Sequence, residues 1–225
     1  MPELVQNCIA SWHKYMPDWE YRLWNEDNFP ISDSPQYVRE AYAAKKYAFV
    51  SDYVRLWALN EWGGLYMDVD FEVFKPFDDL MISNAAFAGY EGSKHSPVMM
   101  GVIASIPHSE WITSMLESYK TRNFVKSGDS YDMTPNTAYF TQMMCANGFV
   151  ADGKEKFFHE VHIFPVYFFC PIQTTGEDLR NQDTYCEHKG LHSWSERTGV
   201  ISRILSAFPV SFRSRLIKLK RKLFG

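Results

Sequence analysis

One stretch, Lys46 to Pro76, constrains the fold more than any other part of this chain. It opens as an apolar-rich helical pattern that carries Asp52 and Arg55, stops at Gly63-Gly64, and resumes as a short apolar run ending in Asp68 and Asp70. Asp52 and Arg55 are three residues apart, so a helix puts them on nearly the same face. As an exposed pair they would contribute only about 0.2–0.5 kcal/mol. Phe49, Val50, Tyr53, Val54, Leu56 and Trp57 leave little polar surface around them. A charged pair in so apolar a helix is expected to point into a polar cavity. Gly63-Gly64 ends the helix, and Leu65 to Val69 reads as a strand buried on both faces.

The remaining pattern surrounds this unit with alternating helices and strands. An amphipathic helix is predicted over residues 3–16, ended by Pro17, and a short strand over Glu20–Trp24. One long helix is predicted from Gln36 to Trp62. After the central strand, Phe71–Phe74 continues it past a bend, and Ala85–Tyr90 and Val98–Ile106 read as further strands. A helix follows over Ser109–Tyr119 with Ser109 as its cap, and another over Asn136–Asn147, with Pro135 at its first position and a cap near Thr134. Val161–Phe164 and Val166–Phe169 read as strands broken at Pro165, with polar loops over Gln173–Asp183 and Tyr185–Trp194. This alternation predicts an α/β domain with a mainly parallel central sheet. The boundary expected from the pattern is a domain over residues 1–205 and a basic amphipathic helix over 206–225.

Composition narrows the function classes. At 225 residues the chain suits one α/β domain, and its net charge of −4 argues against general nucleic-acid binding. The 4 cysteines are dispersed with no CxxC pair, which argues against a structural zinc site and a disulfide framework. No apolar run approaches the length of a membrane span, and neither a signal peptide nor an Asn-x-Ser/Thr sequon is visible. A cytoplasmic location is expected. The last twenty residues differ in character: Arg213, Arg215, Lys218, Lys220, Arg221 and Lys222 are interleaved with Phe208, Phe212, Leu216, Leu219 and Leu223. This is either a solvated helix end or a helix that lies on an anionic membrane surface, which would make the protein peripheral at the inner face of a membrane.

The chemistry concentrates at Asp68-Val69-Asp70. In an extended segment both carboxylates point to one side, at the end of an apolar strand where α/β proteins place ligand sites. Two such carboxylates repel, and a hard cation, Mn²⁺ or Mg²⁺, relieves this while sharing its shell with a phosphate. The residues therefore suit a metal–diphosphate clamp.

The block Ser51-Asp52-x-x-Arg55 … Trp62-Gly63-Gly64-x-Tyr66-x-Asp68-x-Asp70 resembles the sugar-binding region of the DXD-motif glycosyltransferases. That family includes the yeast initiating α-1,6-mannosyltransferase, bacterial capsular polysaccharide and lipopolysaccharide enzymes and, more distantly, the clostridial glucosylating toxins. Trp12 … Pro17-x-Trp19-Glu20-Tyr21-x-Leu23-Trp24 resembles the preceding segment, and Phe169-Cys170-Pro171 with Thr184-Tyr185-x-x-His188 … Ser193-Trp194 resembles the closing region. The resemblance implies a GT-A-type nucleotide-sugar-binding fold and a retaining, metal-dependent transfer from a UDP- or GDP-sugar to a glycan or lipid-linked acceptor of a surface polysaccharide. It implies that Asp70 binds the metal, Asp68 touches the ribose and the metal's shell, Asp52 and Arg55 hold the donor sugar, and Tyr66 lines the pocket. Arg55 and the cation would steady the leaving diphosphate. Ser193 and Trp194 would meet the diphosphate on a closing loop, and either His188 or His192 would be a metal or phosphate ligand. Thr134–Thr137 would lie near a sugar, or simply begin a helix. Relatives carry one more strand ahead of the position of Pro2, so this chain is read as N-terminally shortened, with part of the base pocket absent. Two other readings stand beside transfer: a non-catalytic nucleotide-sugar-binding remnant, and a metal-dependent phosphoesterase or nuclease built on the same Asp pair.

Overall fold

The computed structural model describes residues 1–92, 97–128, 130–173 and 176–190. His192, Ser193, Trp194 and the basic segment 206–225 lie outside the described residues.

The chain begins with helix α1 (Glu3–Tyr15), which buries Val5, Cys8, Ile9 and Trp12 at helical spacing. The expected strand at Glu20–Trp24 does not form. Among the described residues no strand pairs with it; instead Tyr21 Oη donates to the Met16 carbonyl at 3.0 Å and Trp24 packs on Trp62 at 4.3 Å between ring centres.

The expected single helix over 36–62 is two, α2 (Gln36–Ala43) and α3 (Tyr47–Trp62). Lys45 adopts φ 58°. The Lys46 N–H donates to the Ala41 carbonyl at 2.8 Å and the Lys45 N–H to the Tyr42 carbonyl at 2.9 Å. This paired bonding is a left-handed helix stop, formed here on a lysine where glycine is usual, which is why the pattern concealed it.

Helix α3 stops at Gly63, at φ 65°. A Cβ there would stand 2.7 Å from Pro107 Cδ and 2.9 Å from the Ser105 carbonyl oxygen, so both conformation and space demand glycine. Strand β1 (Gly64–Met67) follows, then β2 (Phe71–Val73), the short helix α4 (Asp78–Ser83), β3 (Ala86–Tyr90) and β4 (Val98–Ser105). Helix α5 (Glu110–Ser118) starts at Ser109, whose Oγ accepts from the Ile112 N–H at 3.2 Å as expected of a cap. Helix α6 (Asn136–Ala146) begins one residue after Pro135 and has no side-chain cap. Two short strands, β5 (Lys156–Phe158) and β6 (Val161–Phe164), and β7 (Cys186–His188) complete the described chain. Val166–Phe168 is a 3-10 turn rather than a strand; Pro165 opens it, and the Cys170 N–H closes back on the Val166 carbonyl at 2.8 Å.

The larger sheet has the order β1-β4-β3-β6-β5, and β2 pairs with β7 in a separate ribbon. The fold is α/β, but the sheet is mixed rather than mainly parallel: only β3 and β6 run parallel, and the other pairs are antiparallel. For two of the antiparallel pairs the reason is connection length. Strands β5 and β6 are joined by His159 and Glu160 alone, and β3 and β4 by residues 91–97, too short to cross over. Strands β3 and β6, which run parallel, are joined through helices α5 and α6. Alternation of elements does not fix strand direction when neighbours in space are joined so tightly.

The core is aromatic. Trp12, Tyr37, Phe71, Phe77, Phe87, Phe124, Phe140 and Phe169 are fully buried, each contributing about 1.5–3 kcal/mol by its removal from water. Helix α1 closes the open edge of β2: Trp12 Nε1 donates to the Phe71 carbonyl at 2.7 Å, and Ser11 Oγ accepts from the Val73 N–H at 2.8 Å. The first helix is thereby tied directly to the residues after Asp70.

Candidate donor-sugar site

Arg55 lies in the middle of α3 and is 6% exposed, a buried charge that its surroundings must satisfy. Its Nη2 lies 2.7 Å from Asp52 Oδ1 and 3.8 Å from Asp68 Oδ1. Its Nη1 donates to the Met100 carbonyl of β4 at 2.5 Å, and its guanidinium carbon stands 4.5 Å from the centre of the Tyr66 ring. Burial works against its charge, but Tyr66, Asp68 and Asp52 outweigh it, and Arg55 is held more firmly protonated than usual. Tyr66 is driven the opposite way from ionisation: burial raises its pKa well above normal despite the neighbouring Arg55. Neutral Tyr66 then donates from Oη to Asp68 Oδ1 at 2.6 Å.

The register explains this convergence. Tyr66 pairs with Ile103 across β1 and β4, and the Asp68 N–H extends the ladder to the Gly101 carbonyl at 2.8 Å. Tyr66 and Asp68 therefore share the sheet face with Gly101 and Ile103, and Arg55 of α3 lies over the Tyr66 ring on that face.

Asp68 to Asp70 is not extended, which corrects the expectation that both carboxylates point one way. The Phe71 N–H donates to the Asp68 carbonyl at 3.2 Å, so the four residues make a turn between β1 and β2. The two acids thus reach different partners. Asp68 faces Tyr66 and Arg55, whereas Asp70 Oδ2 lies 3.2 Å from His188 Nε2. Strand pairing sets Phe71 opposite His188, and their rings stack at 4.6 Å with an interplanar angle of 12°. Burial lowers the His188 pKa, but hydrogen bonds to Asp70 and Cys170 more than offset this and push it up to about 10. The Lys189 N–H, directly after β7, donates to the Asp70 carbonyl at 2.8 Å and fixes the turn from the neighbouring strand.

The structure thus brings together Asp52, Arg55, Tyr66, Asp68, Asp70 and His188. It places His188 beside Asp70; His192, Ser193 and Trp194 lie outside the described residues. Asn136 is buried, with its Nδ2 donating to the Asp52 carbonyl at 3.2 Å and its Oδ1 accepting from Tyr119 Oη at 2.8 Å. Three contributors escaped the sequence reading: the Met100 carbonyl, Gly101 and the Phe71 ring. Gly101 carried a signal, since an isolated glycine inside a strand marks close approach. A backbone carbonyl leaves no trace in residue type.

Asp70 supplies a carboxylate oxygen next to the imidazole nitrogen of His188, and Asp68 begins the same turn. Among the described residues no three His, Cys, Asp or Glu side chains group into a metal cage. The set fits Mn²⁺ or Mg²⁺ only as an open half-shell, completed by phosphate oxygens and water. Among the described residues no helix is long and apolar enough to cross a membrane.

"Glucan organizing enzyme 1" of Cryptococcus neoformans var. grubii serotype A is 36% identical over 85 residues, covering 34% of this chain and 23% of that protein. The chain thus matches about a quarter of the length of this relative. No solved structure matches. Residues 2–87, the segment that holds the Arg55 cluster and the Asp68–Asp70 turn, match the glycosyltransferase sugar-binding region containing the DXD motif.

Proposed function

We propose that this protein is a metal-dependent, retaining hexosyltransferase of GT-A type that moves a sugar from a UDP- or GDP-sugar to a hydroxyl of a glycan or lipid-linked acceptor. The observation that carries the reading is the buried Arg55, held between Asp52 and Asp68 over Tyr66 beside the Asp68–Asp70 turn. A preorganised cation among hydrogen-bonding carboxylates suits a polyhydroxylated, negatively charged ligand.

In this reading Asp52 and Arg55 hold the donor sugar's hydroxyls, and Arg55 also opposes the charge that develops on the departing diphosphate. Tyr66 keeps Asp68 oriented toward the ribose. Asp70 and His188 would hold Mn²⁺ or Mg²⁺, which when bound neutralises phosphate charge. Retention implies that the acceptor hydroxyl approaches on the face from which the nucleoside diphosphate departs. Ser193, Trp194 and His192 remain candidates for the diphosphate side of the site. The surface-polysaccharide acceptor, and the docking of segment 206–225 on an anionic inner membrane face, belong to the same proposal; Lys and Arg interleaved with Phe and Leu support the latter. The relative's name concerns glucan and is compatible with a glycan acceptor.

The test is release of nucleoside diphosphate from a panel of UDP- and GDP-sugars with Mn²⁺. Turnover of one donor is expected, lost in EDTA and lost in Asp70→Asn with the fold intact. Full activity in either condition overturns the metal-dependent reading. Binding of a donor without turnover moves the assignment to a nucleotide-sugar-binding module.

A further inference from the structure

The Asp68–Asp70 turn rests on a position of β4 that carries no side chain. We infer that Gly101 is the positioning residue of the donor site, an inference that rests on the reading above for its functional meaning. The geometry is independent of that reading. A Cβ built on Gly101 would stand 2.9 Å from Phe71 Cε2, 3.2 Å from Phe71 Cζ and 3.1 Å from Asp68 Oδ2. Carbon atoms in contact settle at about 3.5–4.0 Å, so a single methyl there displaces the ring, the carboxylate or both.

Strand β4 cannot give way instead. It is paired on both sides, to β1 and to β3, and is buried along its whole length. The turn is the softer partner. Its two halves meet at Gly101: Asp68, through its other oxygen, engages Tyr66 and Arg55, while Phe71 stacks on the His188 that touches Asp70. The Gly101 carbonyl also accepts from the Asp68 N–H, and the carbonyl one residue earlier, Met100, holds Arg55. Glycine inside a strand costs order and packing. At Gly101 it leaves room for a carboxylate to lie flat against the sheet, and this places the Asp68 end and the His188 end of the site on one bed.

Packing and positioning are separable because the two clashes involve different groups. Phe71→Leu removes the ring atoms nearest Gly101 and does not change the Asp68 side chain, the other group within reach of the added methyl. Three variants of the full chain are compared: Gly101→Ala, Phe71→Leu and the double variant. Two readouts need no substrate, the thermal midpoint and the Tyr66 hydroxyl proton by NMR, which reports the Tyr66–Asp68 hydrogen bond. The expected result is a lowered midpoint and a shifted or lost hydroxyl resonance in Gly101→Ala, with the double variant regaining midpoint but not the resonance. Donor kcat/KM is expected to fall about 10–100-fold in both Gly101 variants. A hydroxyl resonance unchanged in Gly101→Ala, or restored by Phe71→Leu, overturns the inference and leaves Gly101 a packing residue. If Gly101→Ala fails to fold, the double variant carries the same test. Absence of donor turnover in the unsubstituted chain would defeat the glycosyltransferase reading while the NMR outcome still decides the role of Gly101.

Discussion

Arg55 Nη2 stands 2.7 Å from Asp52 Oδ1, one helical turn away on α3, and the two side chains are only 6% and 16% exposed. On a solvated helix such a pair is nearly neutral in energy. Inside this helix it is a charge that cannot be left alone, because Asp68 and the Met100 carbonyl have been arranged around the same guanidinium. The pair therefore links the stability of the domain to the geometry of its candidate site.

Arg55→Ala leaves Asp52 and Asp68 facing each other across a half-buried space. Removing one partner of a buried ion cluster costs about 3–5 kcal/mol, and that loss is expected in urea unfolding. Arg55→Lys keeps the charge but cannot reach Asp52 and the Met100 carbonyl with one planar fork. It should cost less in stability, about 1–2 kcal/mol, yet still depress donor turnover strongly. Equal stability of wild type and Arg55→Ala would show that the cluster is not what holds α3 to β4.

Tyr66→Phe removes one hydroxyl and leaves the ring under Arg55. The lost bond runs from a buried phenol to a carboxylate, and bonds to charged groups contribute about 1.5–3 kcal/mol. Because Asp68 is partly exposed and can turn to water, the lower end is expected. An unfolding midpoint that does not move would indicate that water replaces the hydroxyl without cost.

His188 links the site to pH in the metal-free protein. Its pKa rises from 6.5 to about 10 on folding, because hydrogen bonds to Asp70 and Cys170 overcome the burial that opposes its charge. A raised pKa stabilises the fold fully below the unfolded value of about 6.5 and loses that contribution as pH climbs toward 10. The stability difference between wild type and His188→Gln should therefore be largest near pH 6 and shrink, by on the order of 2 kcal/mol, by pH 10. Paired denaturant titrations at several pH values measure it. A constant difference across that window would place the proton elsewhere. Divalent cations compete for the same position, so Mn²⁺ affinity should rise over the same range.

Much of this is legible in the sequence, and the reason is locality. Val5, Cys8, Ile9 and Trp12 announce α1 by spacing alone, and Ser109 announces the start of α5, because a helix stripe and a cap are read within one turn. Asp52 and Arg55 were conspicuous because their neighbours are apolar. The direction of the strands was not legible, since it depends on which strand each one meets after folding. Nor was the turn at Asp68–Phe71: an alternating Asp-Val-Asp-Phe run suits an extended strand equally well, and only the Lys189 N–H and the Gly101 carbonyl, far away in sequence, decide between them. The partnership of Asp70 with His188 rests on a β2–β7 pairing between segments more than a hundred residues apart, for which no local signal exists.

The break between α2 and α3 offers a direct check on that account. Lys45 sits at φ 58° with an exposed side chain, and its N–H closes on the Tyr42 carbonyl while the next N–H reaches Ala41. A residue with a Cβ meets steric resistance in this left-handed region, on the order of 1 kcal/mol, which glycine avoids. Lys45→Gly is therefore expected to stabilise the protein by about 0.5–1 kcal/mol, less any entropy gained by the unfolded chain. If residues 36–62 were instead one continuous helix in solution, glycine at its interior would destabilise by about 1 kcal/mol. The sign of the shift in urea midpoint distinguishes the two, and a destabilised Lys45→Gly would mean that α3 does not begin at Tyr47.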